Sequence, residues 1–143
     1  MESKERTSSA KEDLHTILAS LEPVLDAQSY VFSLLGESDD IAAMVQSIHV
    51  WATVREYEGV TCILAKEEAD RKGWSYQGVW RRITCMVHSS LEAVGLTAML
   101  SSTLARHGIS ANIVAAFYHD HVFVPDERAD EAMQLLLDIQ KGV

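Results

Sequence analysis

The stretch His88 to Val124, HSSLEAVGLTAMLSSTLARHGISANIVAAFYHDHVFV, holds one helix-forming run between β-prone segments and so allows few folds. Just before it, Arg82 to His88 alternates, with Ile83, Cys85 and Val87 on one side and Thr84, Met86 and His88 on the other, as a half-buried strand does. Leu96, Met99, Leu100 and Leu104 then recur at helical spacing, and Gly108 marks the end of that helix. Ile109 to Phe117 and His121 to Val124 read as strands around a turn at His119-Asp120. Pro125 stops the last strand, and Asp126 is the expected N-cap of a final helix carrying Ala129, Ala132, Met133, Leu136 and Leu137. The order β-α-β-β-α is one strand short of a complete split βαβ unit. Its open edge must be covered by the first half or by another chain, because an exposed edge invites pairing.

The first half supplies candidates for that cover. Leu14, Ile17, Leu18 and Leu21 form a helical stripe ended by Pro23, since the residue before a proline is driven out of the α region. Ser29 to Leu35 reads as a strand closed by Gly36. Trp51–Tyr57 and Val60–Ala65 read as a hairpin about Glu58-Gly59, and Lys66 to Lys72 as a short helix stopped by Gly73. Glu37, Asp39 and Asp40 suggest an acidic loop, followed by a short helical turn over 41–45. The expected fold is α+β, two interlocked ferredoxin-like lobes with antiparallel sheets and helices on one face. Residues 1–12 form a polar tail expected to be disordered, 13–80 an N-terminal lobe and 81–143 a C-terminal lobe.

The 143 residues are 48% hydrophobic and 23% charged, enough apolar material for a core without a disulfide or metal staple. A net charge of −9 with scattered basic residues argues against nucleic acid, whose phosphates need a basic patch. Cys62 and Cys85 lie in β-rich apolar runs without C-x-x-C spacing, as buried free thiols in a reducing compartment. The polar N-terminus has no secretory h-region, and no apolar run reaches the roughly 18 residues of a membrane span. These features place the chain in the cytoplasm, away from membranes.

The chemistry-bearing residues concentrate between the first strand of the second half and its helix. Gly95 opens that helix, whose first N–H groups and positive dipole end suit a carboxylate. Ser89, Ser90 and Thr97 offer hydroxyls, and Glu92 or Asp120 can accept from an ammonium group. The plainer alternative is that Ser90 and Glu92 cap the helix while Gly95 only packs. His119-Asp120-His121 has the H-x-H spacing of metal ligands on a strand, and His88 could lie on a neighbouring strand, but no third or fourth ligand has a suitable spacing. Turn chemistry with packed histidines, or contact from His119 and Asp120 to a ligand, explains the triplet without a metal or another cofactor. Neither His88 nor His119 has a nucleophilic partner in sequence, and Cys85 shares its strand face with Ile83 and Val87. Binding is therefore the expectation over catalysis. The alternatives are a small isomerase or cyclase acting on an amino-acid-derived substrate, and a protein-interaction module without a ligand. Trp51, Trp74, Trp80, Tyr57 and Tyr76 form an aromatic group in the middle third that reads as packing more than as an interface.

The runs SSLEAVGLTA (Ser89 to Ala98) and HGISANIVAAFYHDHVFVP (His107 to Pro125) closely resemble the ACT-like domain of small tandem-ACT proteins. The same domain class occurs in CASTOR-type arginine sensors and in the regulatory part of aspartate kinases. LEPVLDAQSYVF (Leu21 to Phe32) and EYEGVTCILAKEEA (Glu56 to Ala69) resemble the first half of that family, so the likeness runs over about residues 13–140. The resemblance implies paired βαββαβ lobes that bind an amino acid or related metabolite at a lobe or subunit interface, usually in a homodimer. It places the ligand against Ser89, Ser90, Leu91, Glu92, Ala93, Val94, Gly95, Leu96 and Thr97, with Asn112-Ile113 matching a recurring feature of the second strand. Residues 37–50 look longer than the family pattern, which unsettles the ligand geometry of the first lobe.

Overall fold

A computed structural model describes residues 14–36, 39–89 and 93–143. The expected tail, Glu37 of the acidic loop, and the candidate site residues Ser90, Leu91 and Glu92 lie outside the described residues. The chain divides into two compact units, one made of residues up to Asp26 together with Arg82–Val143, the other of Ala27–Arg81.

The first unit contains helix α1, described over 14–19, and the start of strand β1 (Pro23–Leu35). It continues with β4 (Trp80–Cys85), α4 (Leu96–Arg106), β5 (Asn112–Ala115), β6 (Asp120–Pro125) and α5 (Ala129–Lys141). Its strands run in the order β1-β4-β6-β5, with β5 and β6 antiparallel. The strand that the second half lacks is thus Pro23–Asp26, delivered by the first half of the chain. Backbone bonds extend the match past the strand end, Met86 and Val87 donating to the carbonyls of Glu22 and Leu21. Leu21, Ile83, Leu100, Leu104, Val122, Val124 and Leu136 are fully buried in one core, with Leu14, Ile17 and Leu18 packed on it.

The second unit reads β1, α2 (Ile41–Gln46), β2 (Val50–Arg55), β3 (Val60–Ala65) and α3 (Lys66–Lys72). Its strands follow the order β2-β3-β1, both pairs antiparallel, and Val31, Cys62, Leu64 and Ala69 form its core. The α+β fold of two ferredoxin-like lobes is as expected from the sequence, and both cysteines are buried and free.

Several boundaries move. β1 starts at Pro23 instead of Ser29, because a proline costs a strand little at its first residue. Glu22 before it takes the left-handed φ of 48°, the only such non-glycine among the described residues. The first hairpin closes on reciprocal backbone bonds between Glu56 and Gly59, which shifts its turn centre to Tyr57-Glu58. The second closes from Ala116 N–H to His119 C=O, so Phe117-Tyr118 is the turn and Asp120 already belongs to β6, opposite Ala115. Asp126 does not cap α5. It opens a 3-10 turn (Asp126–Arg128) that runs into the helix, and that turn is preceded by Pro125, which has no capping side chain.

Candidate functional site

Asp120 is the group around which the site is built. As the first residue of β6 it lies beside the start of α4, is only 6% exposed, and accepts a hydrogen bond from Ser89 Oγ at 3.1 Å. Ser89, Ala93, Leu96, Thr97, Ala115, Ala116 and Asp120 enclose a cleft of about 40 Å³. Of the residues singled out in the sequence, Ser89, Ala93, Leu96, Thr97 and Asp120 therefore converge. Among the described residues the cleft contains one ionisable side chain, and a carboxylate so placed, with the first turn of a helix opposite, is suited to polar ends of opposite charge. The cleft is small, so an organic ligand can seat only an end group in it.

Other expected residues stand apart. Gly95 precedes α4 with φ 99°, and a Cβ there would lie 3.0 Å from Leu14 Cδ2, so its bare side faces α1 and not the cleft. Val94 is exposed. Asn112 and Ile113 sit at the far end of β5, paired with Phe123 and Val122, and Ile113 packs on the core. Ala115 and Ala116 were not expected in the site. Their signal in the sequence is a pair of small residues where the strand meets its turn, which leaves room beside a helix start.

The histidines form a ring cluster at this hairpin. His88 lies 5.2 Å from His119 and 5.7 Å from Tyr118 between ring centroids, and Phe117 stacks edge-on with Tyr118 at 4.9 Å. His119 Nδ1 is buried and has no hydrogen-bond partner among the described residues. His121 points elsewhere. Its Nδ1 lies 2.9 Å from Thr84 Oγ1 and 3.3 Å from Arg82 Nη1, and Arg82 in turn pairs with Asp26 at 2.5 Å. Burial above all, then the adjacent Arg82 charge and His119, pushes the His121 pKa down to about 4. His121 is therefore a neutral acceptor at neutral pH, accepting a hydrogen bond from the Thr84 hydroxyl while Thr84 accepts from Arg82. Among the described residues no group of three or more His, Cys, Asp or Glu is placed to hold a metal ion.

The thiols are equally quiet. Burial, with the Asp120 charge adding to it, pushes Cys85 up to about 12. Burial raises Cys62 to about 11 against the pull of Lys72. Neither is a thiolate near neutral pH. Larger hollows occur elsewhere, one of about 420 Å³ by Gln28 and Lys66 and another of about 420 Å³ by Leu18, Met99 and Leu135. In the first, Lys66 is already paired with Asp70 at 2.7 Å. Neither of these two hollows is lined by a buried acid beside a helix start, as the smaller cleft is.

No curated protein matches the chain in sequence. Among solved structures it is 40% identical to a protein of unknown function from Vibrio cholerae, described as a possible transport protein, over 92% of this chain and 98% of that one, with a TM-score of 0.80. A protein from Agrobacterium tumefaciens shares 20% identity over 79% and 84% of the two chains, with a TM-score of 0.62. The regulatory subunit of aspartate kinase from Thermus thermophilus shares 13% identity over 84% and 97%, with a TM-score of 0.61, a likeness of fold. Two matches to the ACT domain cover residues 9–81 and 77–138. The chain belongs to the ACT domain family, with two such domains in tandem.

Proposed function

We propose that this chain is a non-catalytic sensor that binds an amino acid or closely related metabolite at the Ser89–Asp120 cleft. ACT domains are small-ligand regulatory modules, which supports a regulatory role. The observation that carries the finer reading is the buried Asp120 carboxylate, which among the described residues accepts a side-chain hydrogen bond from the Ser89 hydroxyl alone and faces the first turn of α4. An α-ammonium group meets Asp120, and the α-carboxylate meets the Leu96–Thr97 end of the helix. The ligand side chain then extends past Ala93 toward solvent. Cytoplasmic residence and a homodimer belong to the same reading, supported by two buried unoxidised thiols and by the frequency of two-fold assemblies. No described helix is long and apolar enough to cross a membrane.

A thermal-shift series with the twenty amino acids tests this. A ligand at a hundredfold excess over its Kd stabilises by about 2.7 kcal/mol, a shift of several degrees. The same ligand should shift Asp120→Asn far less, because the ammonium loses its charged acceptor, while the circular dichroism of the variant stays unchanged. If no amino acid shifts the wild-type melt, or if Asp120→Asn responds as the wild type does, the reading fails.

A further inference from the structure

We infer that the groove between α4 and α5 is a separate ligand site, which takes a single-chain carboxylate with its unbranched acyl chain in the groove and its head on Arg106. The groove lies wholly within the first unit and shares no lining residue with the Ser89–Asp120 cleft. Its volume is about 420 Å³, within the roughly 300–1,000 Å³ of small-molecule sites.

The chain-binding part is apolar and elongated. Met99, Thr103 and Arg106 share one face of α4, and Leu135 and Ile139 share one face of α5, at helical spacing. Leu18 of α1 adds a further apolar wall. Leu18, Leu135 and Ile139 are only partly buried, packing against the core by one side and leaving the other to the groove. Met99 is half-buried, and its unbranched thioether adapts to a flexible chain. From Met99 to Arg106 the helix rises about 10 Å, the reach of an extended chain of about eight carbons.

Charge selects the head group. Of the arginines described in this unit, Arg82 is spent on Asp26 and Arg128 on Glu131. Arg106 has no acid within ion-pairing distance among the described residues, and its guanidinium reaches only the Thr103 hydroxyl, at 3.3 Å. With 21 acids to 12 bases in the chain, a cation without an acid is left over by placement and not by supply. Thr103 is 6% exposed, and its hydroxyl donates to the Met99 carbonyl at 2.7 Å, so it fixes the guanidinium back along α4 at the groove. A guanidinium has five N–H donors in a fork, and those left free match a carboxylate. The acid of the groove, Asp138, accepts instead from Gln134 Nε2 at 3.0 Å, on the exposed side of α5.

Titration calorimetry of the full chain with hexanoate, octanoate, octylamine and 1-octanol tests the site. Octanoate should bind one molecule per chain and about tenfold more tightly than hexanoate, from the two added methylenes. Arg106→Gln should weaken octanoate by about tenfold and leave 1-octanol unchanged, because only the charged head loses its partner. Its melting temperature should match the wild type, since Arg106 is exposed. Met99→Gln keeps the side-chain length and should weaken both ligands alike. Arg55→Gln, at an exposed arginine of the other unit, should change nothing. A wild type that takes up no octanoate at millimolar concentration overturns the site, as does equal affinity for hexanoate and octanoate. Undiminished octanoate binding by Arg106→Gln, or tighter binding of octylamine than of octanoate, overturns the choice of an anionic ligand. Asp120→Asn should bind octanoate as the wild type does, so this result and the amino-acid melts stand or fall separately.

Discussion

His121 shows how far a residue's neighbours decide what it is. In the sequence it is half of an H-x-H pair, and in the fold its ring nitrogen is spent on Thr84 beside Arg82. The unfolded chain takes up a proton there below about pH 6.5, whereas the folded protein resists until about 4. Between those values the unfolded state binds more protons, so stability present above 6.5 declines as the pH falls through the window to about 4. His121→Gln, which keeps an acceptor but no titrating ring, should flatten the pH dependence of urea unfolding between about 6.5 and 5. An NMR titration giving His121 an ordinary imidazole pKa would refute this. Gly95 teaches the reverse lesson. Its position before the helix was legible in sequence, but the direction of its bare side was not, since that depends on Leu14, some eighty residues earlier. Gly95→Ala should cost about 1–2 kcal/mol, from the left-handed φ and the tight approach to Leu14. Leu14→Ala in the same chain relieves only the contact, so a double-mutant cycle that restores full stability would contradict the strain assigned to the backbone.

Among the elements, periodicity was a reliable guide where one face is buried against a sheet. The α4 stripe was readable because Leu96, Leu100 and Leu104 all go to the core, and α3 because Gly73 ends it in the left-handed region, donating to Ala69 and Asp70 carbonyls. Strand ends were harder to read. β5 was expected over nine residues and pairs over four, since Ile109 is buried in the core as a link and Ala116 enters the turn. The cleft was legible in part for the same reason. Ser89, Thr97 and Asp120 are marked by their chemistry, whereas Ala115 and Ala116 enter only through strand register. Burial also ranks the helices by stability. Leu100→Ala should lower unfolding free energy by about 2–5 kcal/mol, the range for a fully buried leucine left as a cavity. In dilute protein the Val45 and Gln46 amides of α2 should exchange with deuterium far faster than those of Leu100 to Leu104. Equal protection would mean that α2 draws stability from more than the packing of Met44 against the core.

For the whole molecule, the informative fact is where the missing strand comes from. Sequence pattern showed that the second half lacked a strand and required cover, yet it could not choose between the first half and another chain. The choice lies in Pro23–Asp26, a segment whose proline hides its strand character, with the Asp26–Arg82 ion pair fixing it beside β4. Leu21, fully buried, and the α1 residues Leu14, Ile17 and Leu18 come with it. A fragment of residues 81–143 therefore contains every helix and strand of the pattern read from sequence but not a closed core. It should be largely unfolded by circular dichroism and lack a cooperative melt, because it loses the fourth strand and one side of its helix layer. Joining residues 13–26 to its C-terminus through a flexible linker should restore a cooperative transition. Within that joined chain, Leu21→Asp should abolish folding again, since an unpaired charge would enter the core. Cooperative folding of 81–143 alone would show that the first segment covers this unit without being needed to build it.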